Sequence, residues 1–157
     1  MKKQIWYEDF NPGLTFFSKE RLITYTDIDI FAALTGERHP VHMDDEFARA
    51  VGFRGRIAHG LFALAIVEGL KSDLGIFQKS ISASLGWNDV NFSAPMEPGD
   101  RVHLRLELID RRTTSKPGRG LVRERAVLLN AQDREIVSGI HILLIMMKPS
   151  NHDEIDG

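Results

Sequence analysis

The chain has 157 residues, 43% of them hydrophobic and 27% charged, the composition of one globular domain with its own core. Twenty basic residues against twenty-two acidic ones leave a net charge of −2, which argues against general nucleic-acid binding, since that needs a basic excess. Cysteine is absent, so disulfides, thiolate metal sites and a Cys nucleophile are excluded.

The opening MKKQIWYEDF has no long apolar stretch and does not read as a signal peptide. The longest uncharged apolar run, Ile57–Val67, is too short to span a bilayer. The expectation is a soluble, cytoplasmic domain over residues 1–149, with a polar tail at 150–157 that frays. Ser18–Tyr25 (SKERLITY) reads as a strand. Thr26 or Asp27 then caps a short helix over Ile28–Thr35, and Gly36 stops it. Pro40 breaks the chain there, because the residue before proline avoids the α region. Asp44 or Asp45 caps a second short helix through Ala50, which ends by Gly52.

Gly60–Asp73 is the strongest helix signal; LFALAIV is apolar on every side and therefore reads as buried. Strands follow: one within Ile81–Phe92, then Arg101–Asp110, Leu121–Asn130 and Glu135–Lys148. In RVHLRLELID, Val102, Leu104, Leu106 and Leu108 alternate with Arg101, His103, Arg105 and Glu107. Strands gathered after one buried helix predict an α+β domain, an antiparallel sheet wrapped around that helix. Such a sheet leaves an edge strand, which pairing in a dimer would cover.

Three places could carry chemistry. Between the two short helices, Gly36–Asp44 (GERHPVHMD) holds two histidines and two carboxylates around a proline. A carboxylate beside a neutral imidazole, Glu37 with His42, can divide base and acid work on one water. The plain alternative is a polar loop with Asp44 as a helix cap. His39, His42 and Asp44 also make a metal reading, but no second ligand cluster accompanies them, and the reading adopted has no metal. The second place is Arg56–Leu61 (RIAHGL) at the entrance of the buried helix. Unpaired backbone N–H groups at a helix start, with Gly60 admitting close approach, make an oxyanion site; a structural glycine is the alternative. The third is Glu68 within the apolar helix, either a second catalytic acid or a structural hydrogen-bond partner. Basic residues from Arg111 to Arg125 read as a solvated hairpin.

Taken together, YTDIDIFAALTGERHPVHMD (25–44) and IAHGL (57–61) resemble the MaoC-like dehydratases, which include the (R)-specific enoyl-CoA hydratases. The resemblance spans nearly the whole chain, from Tyr7–Phe10 to Pro98-Gly-Asp100. It implies a hot-dog fold, a homodimer or dimer-based oligomer, an acyl-CoA or acyl-carrier-protein thioester as substrate, no cofactor, and neither nucleic acid nor membrane as partner. It implies reversible syn addition of water to a trans-2-enoyl-CoA, giving the (R)-3-hydroxyacyl product. His42 matches the family's catalytic histidine, and Gly60 the glycine whose N–H polarises the thioester carbonyl. Glu37 stands where aspartate is usual, and His39 where asparagine is usual. Ala58 and His59, with His39, are expected to touch substrate. Two rivals remain: a hot-dog thioesterase using Glu68, and a non-catalytic acyl-thioester binding module.

Overall fold

A computed structural model describes residues 4–149; the tail expected at 150–157 lies outside them. After a 3₁₀ turn at Tyr7–Asp9, the elements are β1 (Thr15–Phe17), β2 (Arg21–Leu22), α1 (Tyr25–Thr35), α2 (Pro40–Met43), α3 (Asp45–Ala50), α4 (Gly60–Leu74), β3 (Ile81–Phe92), β4 (Arg101–Thr113), β5 (Arg119–Asn130) and β6 (Glu135–Met146). The sheet is antiparallel in the order β1-β4-β5-β6-β3, with β2 also on β4. It curls around α4, giving the α+β hot-dog arrangement.

The periodicity of β4 explains the core. Val102, Leu104, Leu106 and Leu108 are buried and face α4, which buries Phe62, Ala63, Ile66, Val67, Leu70 and Leu74 against them. Each such large side chain contributes about 1.5–3 kcal/mol when removed from water. A glycine is required where the amino-terminal segment crosses β5. A Cβ on Gly120 would lie 2.1 Å from the Tyr7 ring. Arg111 fixes the same segment by donating to the Tyr7 carbonyl. Gln4 and Ile5 donate to the carbonyls of Gly75 and Ile76, both at 2.7 Å, just past the end of α4.

Three expectations need correction. The strand foreseen over Ser18–Tyr25 is reduced to the two residues of β2, and Tyr25 already belongs to α1. The reason is a reciprocal cap two or three residues earlier than foreseen. Thr24 Oγ1 accepts from Asp27 N, and the Asp27 carboxylate accepts from Thr24 N. Pro40 both breaks the chain and opens a helix, α2, since proline suits the first helical turn. Finally, α4 is not buried all round: Leu61 is 66% exposed, and Ala65 and Glu68 lie on the same open stripe. Gly60, at the start of α4, faces Phe92 of β3, whose outer edge has no partner strand among the described residues.

Candidate active site

Local sequence explains how the acid and the base meet. Gly36 ends α1 at φ +78°, a left-handed turn that suits glycine, and the turn delivers Glu37. Two residues later, His39 caps α2 through Nδ1, which accepts from Val41 N at 3.3 Å. The single turn of α2 then presents His42. Arg56 braces the back: its Nε donates to the His42 carbonyl at 2.6 Å, its guanidinium pairs with Asp29, and it lies over the Tyr25 ring.

Glu37 Oε2 lies 3.2 Å from His42 Nε2 and 3.5 Å from His59 Nε2. Its other oxygen accepts from His39 N at 2.7 Å. His42 Nδ1 stands 2.8 Å from the Ile57 carbonyl. A carbonyl only accepts, so the ring proton belongs on Nδ1, and Nε2 of the neutral ring is left with a lone pair. His59 stacks on His42 with centroids 3.9 Å apart, and its Nε2 is 3.0 Å from the Glu37 carbonyl.

The protonation states follow from these contacts. The backbone N–H of His39 holds the Glu37 carboxyl below its usual range, aided by the nearby imidazoles. Burial pushes His42 below the ordinary imidazole value; the Ile57 contact and the Glu37 charge oppose that shift without reversing it. At neutral pH the pair is therefore a carboxylate facing a bare imidazole nitrogen. Two acceptors 3.2 Å apart repel unless a donor such as a water molecule serves both.

A cavity of about 320 Å³ opens beside the pair, lined by His42, Ala58, His59 and Gly60 and closed by the apolar side chains of Phe53, Ala63, Met96 and Ile136. Gly60 is the first residue of α4, so its N–H has no intrahelical acceptor. A Cβ there would lie 3.0 Å from the Phe92 ring, which also lines the cavity. Glycine keeps that amide approachable.

Of the residues singled out in the sequence, Glu37, His42 and His59 come together, and His42, Ala58, His59 and Gly60 share one cavity. His39 does not line it; it caps α2 with its ring edge against Phe47. Asp44 caps α3, accepting from Glu46 N and Phe47 N, so the set His39, His42 and Asp44 is spent on backbone and imidazole contacts rather than gathered for a metal. Glu68 lies two turns along α4, outside the cavity, with Oε1 3.2 Å from His141 Nδ1. Sequence reading missed the Arg56 brace. It also missed the buried group Lys71, Glu124 and His141, although Glu124 falls on the inward positions of β5 between Val122 and Ala126.

A family profile described as MaoC like domain matches residues 12–127. The chain is 33% identical over 101 residues to Protein MaoC of Klebsiella aerogenes, covering 64% of this chain and 30% of that protein. It is 33% identical over 106 residues to a 3-hydroxybutyryl-CoA dehydratase of Methylorubrum extorquens, covering 68% of this chain and 65% of the relative. The chain thus spans less than two thirds of the length of either. A solved structure titled monoamine oxidase regulatory protein, from Archaeoglobus fulgius, superposes with a TM-score of 0.85 at 28% identity, covering 94% of this chain and 98% of that one. With three quarters of its length matched by one profile, and with the hot-dog sheet around α4, this chain belongs to the MaoC-like domain family.

Proposed function

We propose that the protein is a hydratase/dehydratase of acyl-CoA thioesters, adding water reversibly and on one face to a trans-2-enoyl-CoA to give the (R)-3-hydroxyacyl product. The observation that carries this reading is the opposed pair Glu37 and His42 at the mouth of the cavity that Gly60 also lines. A water held between the carboxylate and the bare Nε2 attacks Cβ of the enoyl group. The pair takes one proton from that water, and one proton passes to Cα, so the sum is H and OH across the double bond. The Gly60 N–H stabilises charge on the thioester oxygen as it develops. The relative named 3-hydroxybutyryl-CoA dehydratase is consistent with this chemistry.

Assembly as a homodimer accompanies the reading. The unpaired edge of β3 and the exposed Leu61, Leu85 and Phe92 beside it suit pairing with a second copy. Glu68, on which the thioesterase alternative depends, contacts His141 and lines a separate, smaller cavity away from Gly60. The test is loss of the enoyl absorbance with crotonyl-CoA and longer enoyl-CoA substrates. Hydration that falls by about 10²–10⁴ in His42→Ala supports the assignment. Saturable binding of the whole panel without turnover would instead make the chain an acyl-thioester binding module.

A further inference from the structure

The acid–base pair has a third neighbour that the hydration chemistry does not use. Glu37 Oε2, His42 Nε2 and His59 Nε2 all lie within 4.8 Å of one another. We propose that these three side chains form a binding site for a borderline-soft divalent cation such as zinc, and that its occupation switches the proposed hydratase off by taking the place of the reacting water. This inference rests on the hydratase reading for its regulatory meaning, but not for the existence of the site.

The geometry argues for it in three ways. A tetrahedral ion with bonds of about 2.0–2.2 Å sets its ligand atoms about 3.3–3.6 Å apart. Glu37 Oε2 is 3.2 and 3.5 Å from the two imidazole nitrogens, near that spacing; the two rings stack 27° apart and must turn for both lone pairs to meet one ion. Second, His42 Nδ1 is fixed on the Ile57 carbonyl at 2.8 Å. This outer contact orients a metal-binding histidine and leaves Nε2 as the ligand. Third, two histidines and one carboxylate leave coordination positions open, and the cavity lined by His42 and His59 gives them room.

His59 is the ligand that must change most. Its Nε2 faces the Glu37 carbonyl at 3.0 Å, so in the metal-free protein that nitrogen carries the ring proton. Coordination moves the proton to Nδ1, which is buried without a hydrogen-bond partner.

The experiment uses tag-free protein and Co²⁺, whose visible absorption reports tetrahedral nitrogen and oxygen ligation, followed by displacement with Zn²⁺. One equivalent of bound cobalt with these bands is expected, with at least about tenfold weaker binding in Glu37→Gln and in His59→Phe. Zinc at ten times its dissociation constant should leave roughly a tenth of wild-type hydration, restored by EDTA. Absence of the cobalt bands in wild-type protein overturns the site, as do bands that persist unchanged in both variants. Hydration that zinc leaves untouched while the bands form overturns the regulatory claim. The spectral titration needs no turnover, so cobalt binding by a protein that hydrates nothing would sink the hydratase reading alone.

Discussion

Two polar clusters sit on the same helix and use the same residue types to opposite ends. At the start of α4, Glu37 meets His42 and His59 beside an open cavity, and the Glu37 side chain is half exposed. In its last turn, Lys71 pairs with Glu124 and lies 3.0 Å from His141 Nδ1, with all three side chains buried. Trp87 lies flat on His141 at 4.2 Å, and Ser84 Oγ meets its other nitrogen at 2.7 Å. Solvent reaches the first cluster through the half-exposed Glu37, so its charges can come and go. The second is buried, although Glu68 reaches His141 from the open stripe and a smaller cavity of about 230 Å³ touches Lys71; its charges tie helix to sheet. A carboxylate–histidine contact is therefore not in itself a catalytic signal; what sets the first cluster apart is a histidine that shares its cavity with the helix-opening Gly60.

The comparison can be broken from either side. The largest expected effect is at the open cluster: His42→Ala lowers hydration by about 10²–10⁴ in kcat/KM. Its thermal midpoint moves little, because α2 is short and poorly buried. The mirror experiment is Lys71→Met, which strands Glu124 in the core and lowers unfolding stability by about 3–5 kcal/mol in a denaturant titration. Lys71→Met with Glu124→Leu recovers part of that loss, because no buried charge is then left alone. Turnover per folded molecule stays near wild type in both; a collapse of activity in the folded double variant would show that the buried cluster has a catalytic share.

Glu37→Asp sharpens the geometry of the open cluster. It withdraws the carboxylate by one methylene from His42 and His59, and a displacement of about 1 Å costs on the order of a hundredfold in rate. Full activity in this variant would mean that the loop, not the longer side chain, sets the reach. The smallest effect is electrostatic. In an NMR titration, His42 takes its proton below the ordinary imidazole value of 6.5. In Glu37→Gln it does so at lower pH still, since the carboxylate charge is one of the influences raising it. The acid limb of the wild-type rate profile should fall in that same range, as protonation removes the bare Nε2.

Much of this was legible from residues alone. The alternation of β4, the glycine stop after Thr35 and the apolar run of α4 gave the architecture, because each is a local pattern with one physical solution. Glu37, His42 and Gly60 were legible because a carboxylate, an imidazole and a helix-opening glycine each have a chemical reason to be there. What escaped depended on contacts between distant segments. The Arg56 brace joins residues 14 and 27 positions apart, and the Lys71–Glu124 pair joins a helix to a strand. The motif alone does not show that His39 Nδ1 caps α2 and that its ring lies outside the cavity lined by His42 and Gly60.

The contact between Tyr7 and Gly120 reaches beyond its own corner. The ring occupies the place a side chain on β5 would take, and the residues just before it are tied to the far end of the central helix. The family profile begins only at residue 12, so trimming the protein to the matched region would remove this plug. A chain beginning at Asn11 would leave the glycine notch empty and the carbonyls of Gly75 and Ile76 without their donors. The loosened part would be the end of the domain opposite the Glu37–His42 pair, so such a shortened chain should lose heat tolerance before it loses the proposed activity.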